Sequence, residues 1–357
     1  MGIDLTKLDP TKVEEFQGLA VSEAAAAESA ACCYLGDALG LYEAMAGAGR
    51  LTATELAERT GTHQRYVAEW LANQAAGGYV IHHAEDTTFE LPDEHAAVLA
   101  DPASPAYLPG IYAVIAAAWA SVDLVADAFR SGDGVGWHEH DPRLFGGVER
   151  LFAPLYRHQL VQDWIPALDG VQERLRAGAR VADIGCGHGA STVVLAQAYP
   201  GSRFTGFDYH AESIAAASKS AAEAGVGDRV GFEVAPADSF PGGGYDLVCF
   251  FDCLHDMGDP VAAATHAREA LADDGTLLVV EPQAGDELAD NLNPISRLFY
   301  AGSVFLCTPS SLAQHGAMGL GAQAGESRLR AVLTDAGFTR VRLATQTPFN
   351  LVIEARP

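Results

Sequence analysis

Three glycines set between an apolar run and an apolar helix carry the strongest chemical signal in this chain. Residues 181–189 read VADIGCGHG. A β-branched stretch closes on Asp183, turns through Gly185, Gly187 and Gly189, and enters a segment with helical spacing. A strand–glycine loop–helix unit lets a nucleoside-bearing ligand lie against bare backbone. Glycine is needed there because a Cβ would strike the ligand or forbid the backbone angles. Asp208 stands at the end of a second apolar run, SRFTGF (202–207), with Tyr209 beside it. A carboxylate at that point can accept hydrogen bonds from both hydroxyls of a ribose.

Gly185-x-Gly187-x-x-Ala190 also satisfies the nicotinamide fingerprint, so the surroundings must decide. Asp183, immediately before the loop, suits a cationic amine better than a pyrophosphate. A third apolar run, RVGFEV (229–234), leads into PADSF (236–240), where Asp238, flanked by Ser239 and Phe240, can accept from an adenine amino group. A fourth run, YDLVCFF (245–251), ends in the polar cluster DCLHDMGDP (252–260), headed by Asp252. GTLLVVEP (275–282) then supplies a fifth strand ending at Glu281. Together these features favour S-adenosylmethionine, released as S-adenosylhomocysteine. In this order the motifs resemble the class I S-adenosylmethionine-dependent methyltransferases over roughly residues 175–357.

Methyl transfer is an in-line displacement at a sulfonium carbon. The protein must align the nucleophile, exclude water and remove a proton when the acceptor is a hydroxyl. His255, just past the fourth strand, is the candidate base, because ligands bind in the crevice beyond the strand ends. Asp256 or Asp259 could orient it, and Glu281 faces the same crevice. The stretch resembles the histidine–aspartate motif that carries the base in small-molecule O-methyltransferases. It departs from that motif at Met257, where a tryptophan is usual. Methyltransferases acting on carbon or arsenic keep such a histidine without using it as a base, so capping or cofactor contact is the alternative role. For the acceptor, the candidates are Phe299 and Tyr300 in the insertion after strand five, and Trp119, Trp137, Tyr156 and His158 in the preceding helices.

The elements that must hold these residues alternate strand and helix from 181 to 282, which specifies a doubly wound α/β domain with a mostly parallel, seven-stranded, Rossmann-like sheet. The last two runs, FTRVRLA and FNLVIEA, are joined by a short turn, so one of them should be antiparallel. Upstream, LTATELAERTG begins with a capping box, Thr52 to Glu55, and stops at Gly61. Thr62 opens a second helix, and YVIHHAEDTTFEL (79–91) reads as a hairpin. Three helices and a hairpin make a winged-helix unit at about 35–95. We expect a winged-helix domain at 1–100, a helical linker and roof at 101–170, and the cofactor domain at 171–357. Nearly the whole chain, insertion and tail included, is similar to winged-helix methyltransferases of actinobacterial type. There the N-terminal domain dimerises and helps close the partner's active site, which implies a homodimer.

Bulk properties narrow the alternatives. The 357 residues carry a net charge of −25, which repels phosphate backbones and anionic membranes. Residues 1–100 hold 5 Lys/Arg against 16 Asp/Glu, and Arg65 is the lone cation of the helix that would enter a DNA groove. Neither nucleic acid nor membrane is expected as a partner. The N-terminus lacks a basic start and an apolar core, so a cytoplasmic location is expected; Met1-Gly2 with Thr6 formally fits an acylation pattern that constrains little. The six cysteines (Cys32, Cys33, Cys186, Cys249, Cys253, Cys307) read as free thiols. No metal site is expected, since strand alternation separates Cys249 from Cys253 and His255. The resulting expectation is a methyltransferase acting on a small metabolite with an aromatic or apolar body. Two readings compete with it: a winged-helix regulator whose cofactor domain only senses a ligand, and a methyltransferase scaffold used for non-methylating chemistry.

Overall fold

The computed structural model describes residues 3–357, so Met1 and Gly2, with the acylation pattern, lie outside the described residues. The chain forms two compact units, one ending at Ala116 and one running Ala117–Pro357.

The first unit opens with a 29-residue helix, Pro10–Ala38, started by Pro10 at its first position and by Asp9, whose side chain accepts from the Thr11 amide. Only Cys33 and Gly36 of this helix are buried, while Val13, Phe16, Leu19 and Val21 are exposed. The capping box forms as spaced: the Glu55 amide donates to Thr52, and the Glu55 carboxylate accepts from the Thr52 amide. Helices Ala53–Thr60 and Gln64–Ala76 and the antiparallel hairpin β1 (Ile81–His83) and β2 (Thr88–Glu90) complete the winged-helix pattern. Leu41, Met45, Leu56 and Leu71 fill its core. Arg65 is tied to Glu69 one turn on.

The second unit is built on seven strands: β3 (Arg180–Ile184), β4 (Arg203–Asp208), β5 (Val230–Val234), β6 (Tyr245–Phe251), β7 (Leu271–Pro282), β8 (Arg340–Gln346) and β9 (Asn350–Arg356). Their order across the sheet is β5-β4-β3-β6-β7-β9-β8. The first five are parallel, and β9 is antiparallel to both its neighbours, β7 and β8. Parallel strands buried on both faces need apolar residues on both. Ala182, Phe207, Val248 and Phe250 pack on one face with Leu329 and Phe338. Val181, Phe204, Leu247 and Cys249 pack on the other with Leu160 and Trp164. Among the described residues no single helix is long and apolar enough to cross a membrane.

Candidate active site

Connections leave β3 toward β4 on one side and return to β6 on the other, so the strand ends part between β3 and β6. That reversal opens a crevice beyond the strand ends. A cavity of about 460 Å³ occupies it, walled entirely by residues of the second unit.

Its floor is the glycine loop. Gly185 and Gly187 have φ of 68° and 51°, angles that side chains other than glycine rarely adopt. A Cβ on Gly185 would also fall 2.8 Å from the Cys253 sulfur, whereas the space over Gly187 is open to the cavity. Gly189 serves packing instead, since a Cβ there would meet the Phe232 ring at 2.7 Å. Asp208, at the end of β4, accepts from the Gly187 amide at 3.0 Å and from the His210 amide at 2.8 Å. The loop and the ribose-binding candidate are thus fixed to each other by backbone. Burial raises the Asp208 carboxyl above the ordinary range, opposed by those two amides. Tyr209 and Asp238 line the same cavity. Ser239 is exposed and donates to Asp238 at 3.1 Å, while Phe240 is a core residue against Phe207.

Two buried carboxylates lie at the strand ends with an oxygen each unmatched. Asp183 sits beneath the loop, off the cavity wall, and its Oδ2 accepts from Ser191 at 2.7 Å and Thr192 at 2.5 Å. Its Oδ1 has no partner, and burial pushes the carboxyl up to about 6. Asp252 lines the cavity with a φ of 50°, a conformation non-glycine residues adopt at a cost. Its Oδ1 accepts from Asn350 at 3.0 Å, its Oδ2 is buried without a partner, and burial raises its carboxyl strongly. Unmatched buried carboxylate oxygens are costly unless a cation meets them. The donor set therefore fits a ligand with a nucleoside at Asp208 and Asp238 and a positive charge near Asp252 and Asp183.

His255 lies behind the wall rather than on it. Glu281, at the end of β7, holds its Nδ1 and also accepts from the Leu254 amide at 2.9 Å. Its Nε2 is 3.1 Å from Asp256 Oδ1. Burial works against the charge on this ring, but Asp256 and Glu281 outweigh it and hold the pKa well above the histidine range. The ring thus lies between two carboxylates that favour its protonated form, with Glu281 bonded to Nδ1 and Asp256 Oδ1 close to Nε2 without a hydrogen bond. Asp256 is the member of the group that reaches the cavity. Asp259 caps helix Pro260–Ala270 through the Ala262 amide at 2.8 Å and does not orient the ring. Cys307 brings a sulfur to this cluster, within 4.8 Å of the His255 and Asp256 ligand atoms. Both ring nitrogens already face carboxylates, so the imidazole has no spare lone pair for an ion.

The roof is helix Arg143–Leu155, running on in π register over Tyr156–Trp164 after Pro154 removes an N–H from the ladder. Phe145, Glu149, Phe152 and Tyr156 face the cavity along one stripe. Phe145 stacks on His210 at 4.8 Å, and Glu149 meets His188 Nδ1 at 2.8 Å. Trp137 adds a ring 5.9 Å from Phe145. The far wall comes from the insertion, where Gln314 donates to the Asp256 carbonyl at 2.8 Å. Of the expected acceptor residues, Trp137 and Tyr156 line the cavity. Trp119 and His158 are exposed, and Phe299 and Tyr300 are half-buried away from it. The reading of the sequence missed Phe145, Glu149, Phe152, His188, Gln314 and His315. A signal for the first three was there: their spacing with Tyr156 is one face of a helix.

Known proteins resemble this chain over both units. Residues 175–315 match the family described as "Methyltransferase domain", and residues 27–101 match the "Rv2258c-like winged HTH domain". Trans-aconitate 2-methyltransferase of Streptomyces avermitilis is 34% identical over 113 residues, 31% of this chain and 42% of that protein. 27-O-demethylrifamycin SV methyltransferase of Amycolatopsis mediterranei is 35% identical over 120 residues, 32% of this chain and 44% of that protein. The chain thus spans less than half the length of these two curated relatives. Among solved structures, mitomycin 7-O-methyltransferase superposes with a TM-score of 0.71 at 22% identity, covering 98% of this chain and 100% of that one. Human N-acetylserotonin methyltransferase, solved with S-adenosylmethionine, gives 0.66 at 17% identity, covering 100% and 99%. The fold is that of the class I S-adenosylmethionine-dependent methyltransferases.

Proposed function

We propose that this chain, a methyltransferase domain behind a winged helix–turn–helix domain, transfers a methyl group from S-adenosylmethionine to a hydroxyl of a small-molecule acceptor. The observation that carries the reading is the convergence on one cavity of the open glycine loop, Asp208, Asp238 and the unmatched carboxylate oxygen of Asp252. Asp208 would hold the ribose, Asp238 the adenine, and Asp252, backed by Asp183, the methionine amine. The sulfonium supplies an activated methyl when bound, so the chain's own work is alignment, exclusion of water and proton removal. The roof stripe excludes water and supplies a flat apolar face for an aromatic acceptor.

Asp256 is the group that meets the acceptor hydroxyl and takes its proton. His255 acts behind it as a positioning residue: held by Glu281, its ring stands 3.1 Å from Asp256 Oδ1 and limits where that carboxylate can sit. This differs from a histidine that takes the proton itself. A second copy of the chain is the natural cover for the exposed apolar residues of helix Pro10–Ala38, and we propose a homodimer formed through this first unit. Sedimentation of wild type beside Phe16→Asp tests that part, with a monomeric wild type overturning it.

Calorimetry with S-adenosylmethionine and S-adenosylhomocysteine, followed by transfer of labelled methyl into a small-molecule extract, tests the activity. Micromolar binding with label in small molecules is expected. Absence of binding, or label confined to protein or nucleic acid, overturns the reading.

A further inference from the structure

Sorting the cavity's charged groups by what each is already bound to separates its two ends. Among the described residues that line it, none is lysine or arginine. Asp208, Asp238 and Asp252 belong to the end where the cofactor, itself a cation, is proposed to lie. The rest of the wall includes Asp256, Glu149, Trp137, Phe145, Tyr209 and Ser310. Tyr209 lies in the fields of both Asp208 and Asp256, beside Ser310 and the Trp137 backbone, so it stands where the two parts of the cavity meet.

Most groups there that could receive an anion are already engaged. His188 is engaged by Glu149 at 2.8 Å. The charge of His255 is divided between Glu281 and Asp256 and reaches the cavity only through Asp256. The N-terminus of helix Pro260–Ala270, which otherwise attracts negative charge, is filled by the chain's own Asp259. His315 alone remains as a titratable donor on the wall. Meanwhile Trp137, Phe145 and Tyr209 bring aromatic rings to the wall, and such rings tolerate positive charge better than negative; the net charge of −25 adds a repulsive field for any approaching anion.

We infer that the acceptor is an aromatic hydroxy compound that is uncharged or bears a protonated amine, and that Asp256 sets this preference by excluding carboxylate-bearing acceptors. The inference rests on the methyltransferase reading of the same cavity. It gives Asp256 a second task beside proton removal, that of a charge filter.

The test uses full-length protein saturated with S-adenosylhomocysteine, whose binding is first established by calorimetry alone. Matched triplets of phenols and naphthols are then titrated, each with an ethyl, an aminoethyl and a carboxyethyl substituent. Uncharged and ammonium members should bind, and carboxylate members should be weaker by about tenfold or more. Asp256→Asn should narrow that gap, and Asp256→Lys should reverse it; the first variant keeps the test valid if the second does not fold. The inference is overturned if a carboxylate member binds as well as its uncharged partner, if Asp256→Asn leaves the gap unchanged, or if no member of any triplet binds. Failure of the protein to bind S-adenosylhomocysteine at all would instead remove the methyltransferase reading beneath it.

Discussion

The two ends of the cavity are built by different means. The end proposed for the cofactor is made by residues at successive strand ends, locked by backbone amides: Gly187 and His210 both donate to Asp208. The acceptor end is made by side chains from three distant segments, around Trp137–Tyr156, Leu254–Asp259 and Ser310–His315. It is anchored to the first end by side-chain contacts, Glu149 with His188 of the glycine loop and Phe145 on His210. A constant ligand is met by backbone, which few substitutions can alter. A variable one is met by side chains, which are free to change while the fold stays.

Variants that damage one end and spare the other break this comparison if it is wrong. The largest effect is expected from His255→Gln, which should lower transfer by about 10³ while S-adenosylhomocysteine affinity changes less than about threefold. It also strips Glu281 of its buried counter-ion, costing about 3 kcal/mol of stability. Because the folded pKa of His255 is raised, its contribution is fully present below about pH 6.5 and fades as the pH rises through the native value. Denaturant melts should show that slope in wild type and lose it in the variant. Equal loss of cofactor binding would mean that the two ends are not separable.

Asp208→Ala should act the other way, weakening S-adenosylmethionine by about 100-fold in calorimetry. Wild-type affinity in that variant would remove the ribose role. Next in size is a pH effect. The Asp183 carboxyl is pushed up to about 6, so below that pH cofactor affinity should fall by up to about tenfold per unit as its charge is lost. The unliganded fold should gain stability over the same interval, because the folded state binds that proton more tightly. Asp183→Asn should flatten both curves; a binding curve that keeps its slope assigns the effect elsewhere. The smallest change is expected from Phe145→Ala, which should raise the acceptor KM about fivefold without altering cofactor affinity. An unchanged KM would detach the roof stripe from acceptor binding.

What was legible in the sequence divides along the same line. The succession of strands and helices, the capping box and the glycine loop rest on local pattern, and Asp208, Asp238 and Asp252 were named from their places at strand ends. The acceptor wall depends on which helix faces come to rest above the sheet. The stripe from Phe145 to Tyr156 looks like any amphipathic helix, and Trp119 and Phe299 read as pocket aromatics only because they are aromatic. Gln314 lies more than fifty residues from the Asp256 carbonyl it holds, and no short-range spacing announces it. Glu281 was named from its place at a strand end, but its grip on His255 is a register effect of β6 against β7. The ring's charged state follows from two carboxylates meeting only in the folded chain.

Asn350, seated in β9 and bonded to Asp252, has a consequence for how the molecule is made. β9 comes after both β7 and β8 in the chain and takes its place between them. Until it does, the edge of β7 is bare and Asp252 lacks the amide that steadies it in its unusual backbone angle. A growing chain can therefore assemble the glycine loop early yet hold its ligand poorly until β9 is in place. Ligand retention becomes a check on that strand, so chains truncated before Asn350 should be recognised by proteases as empty, unlocked proteins.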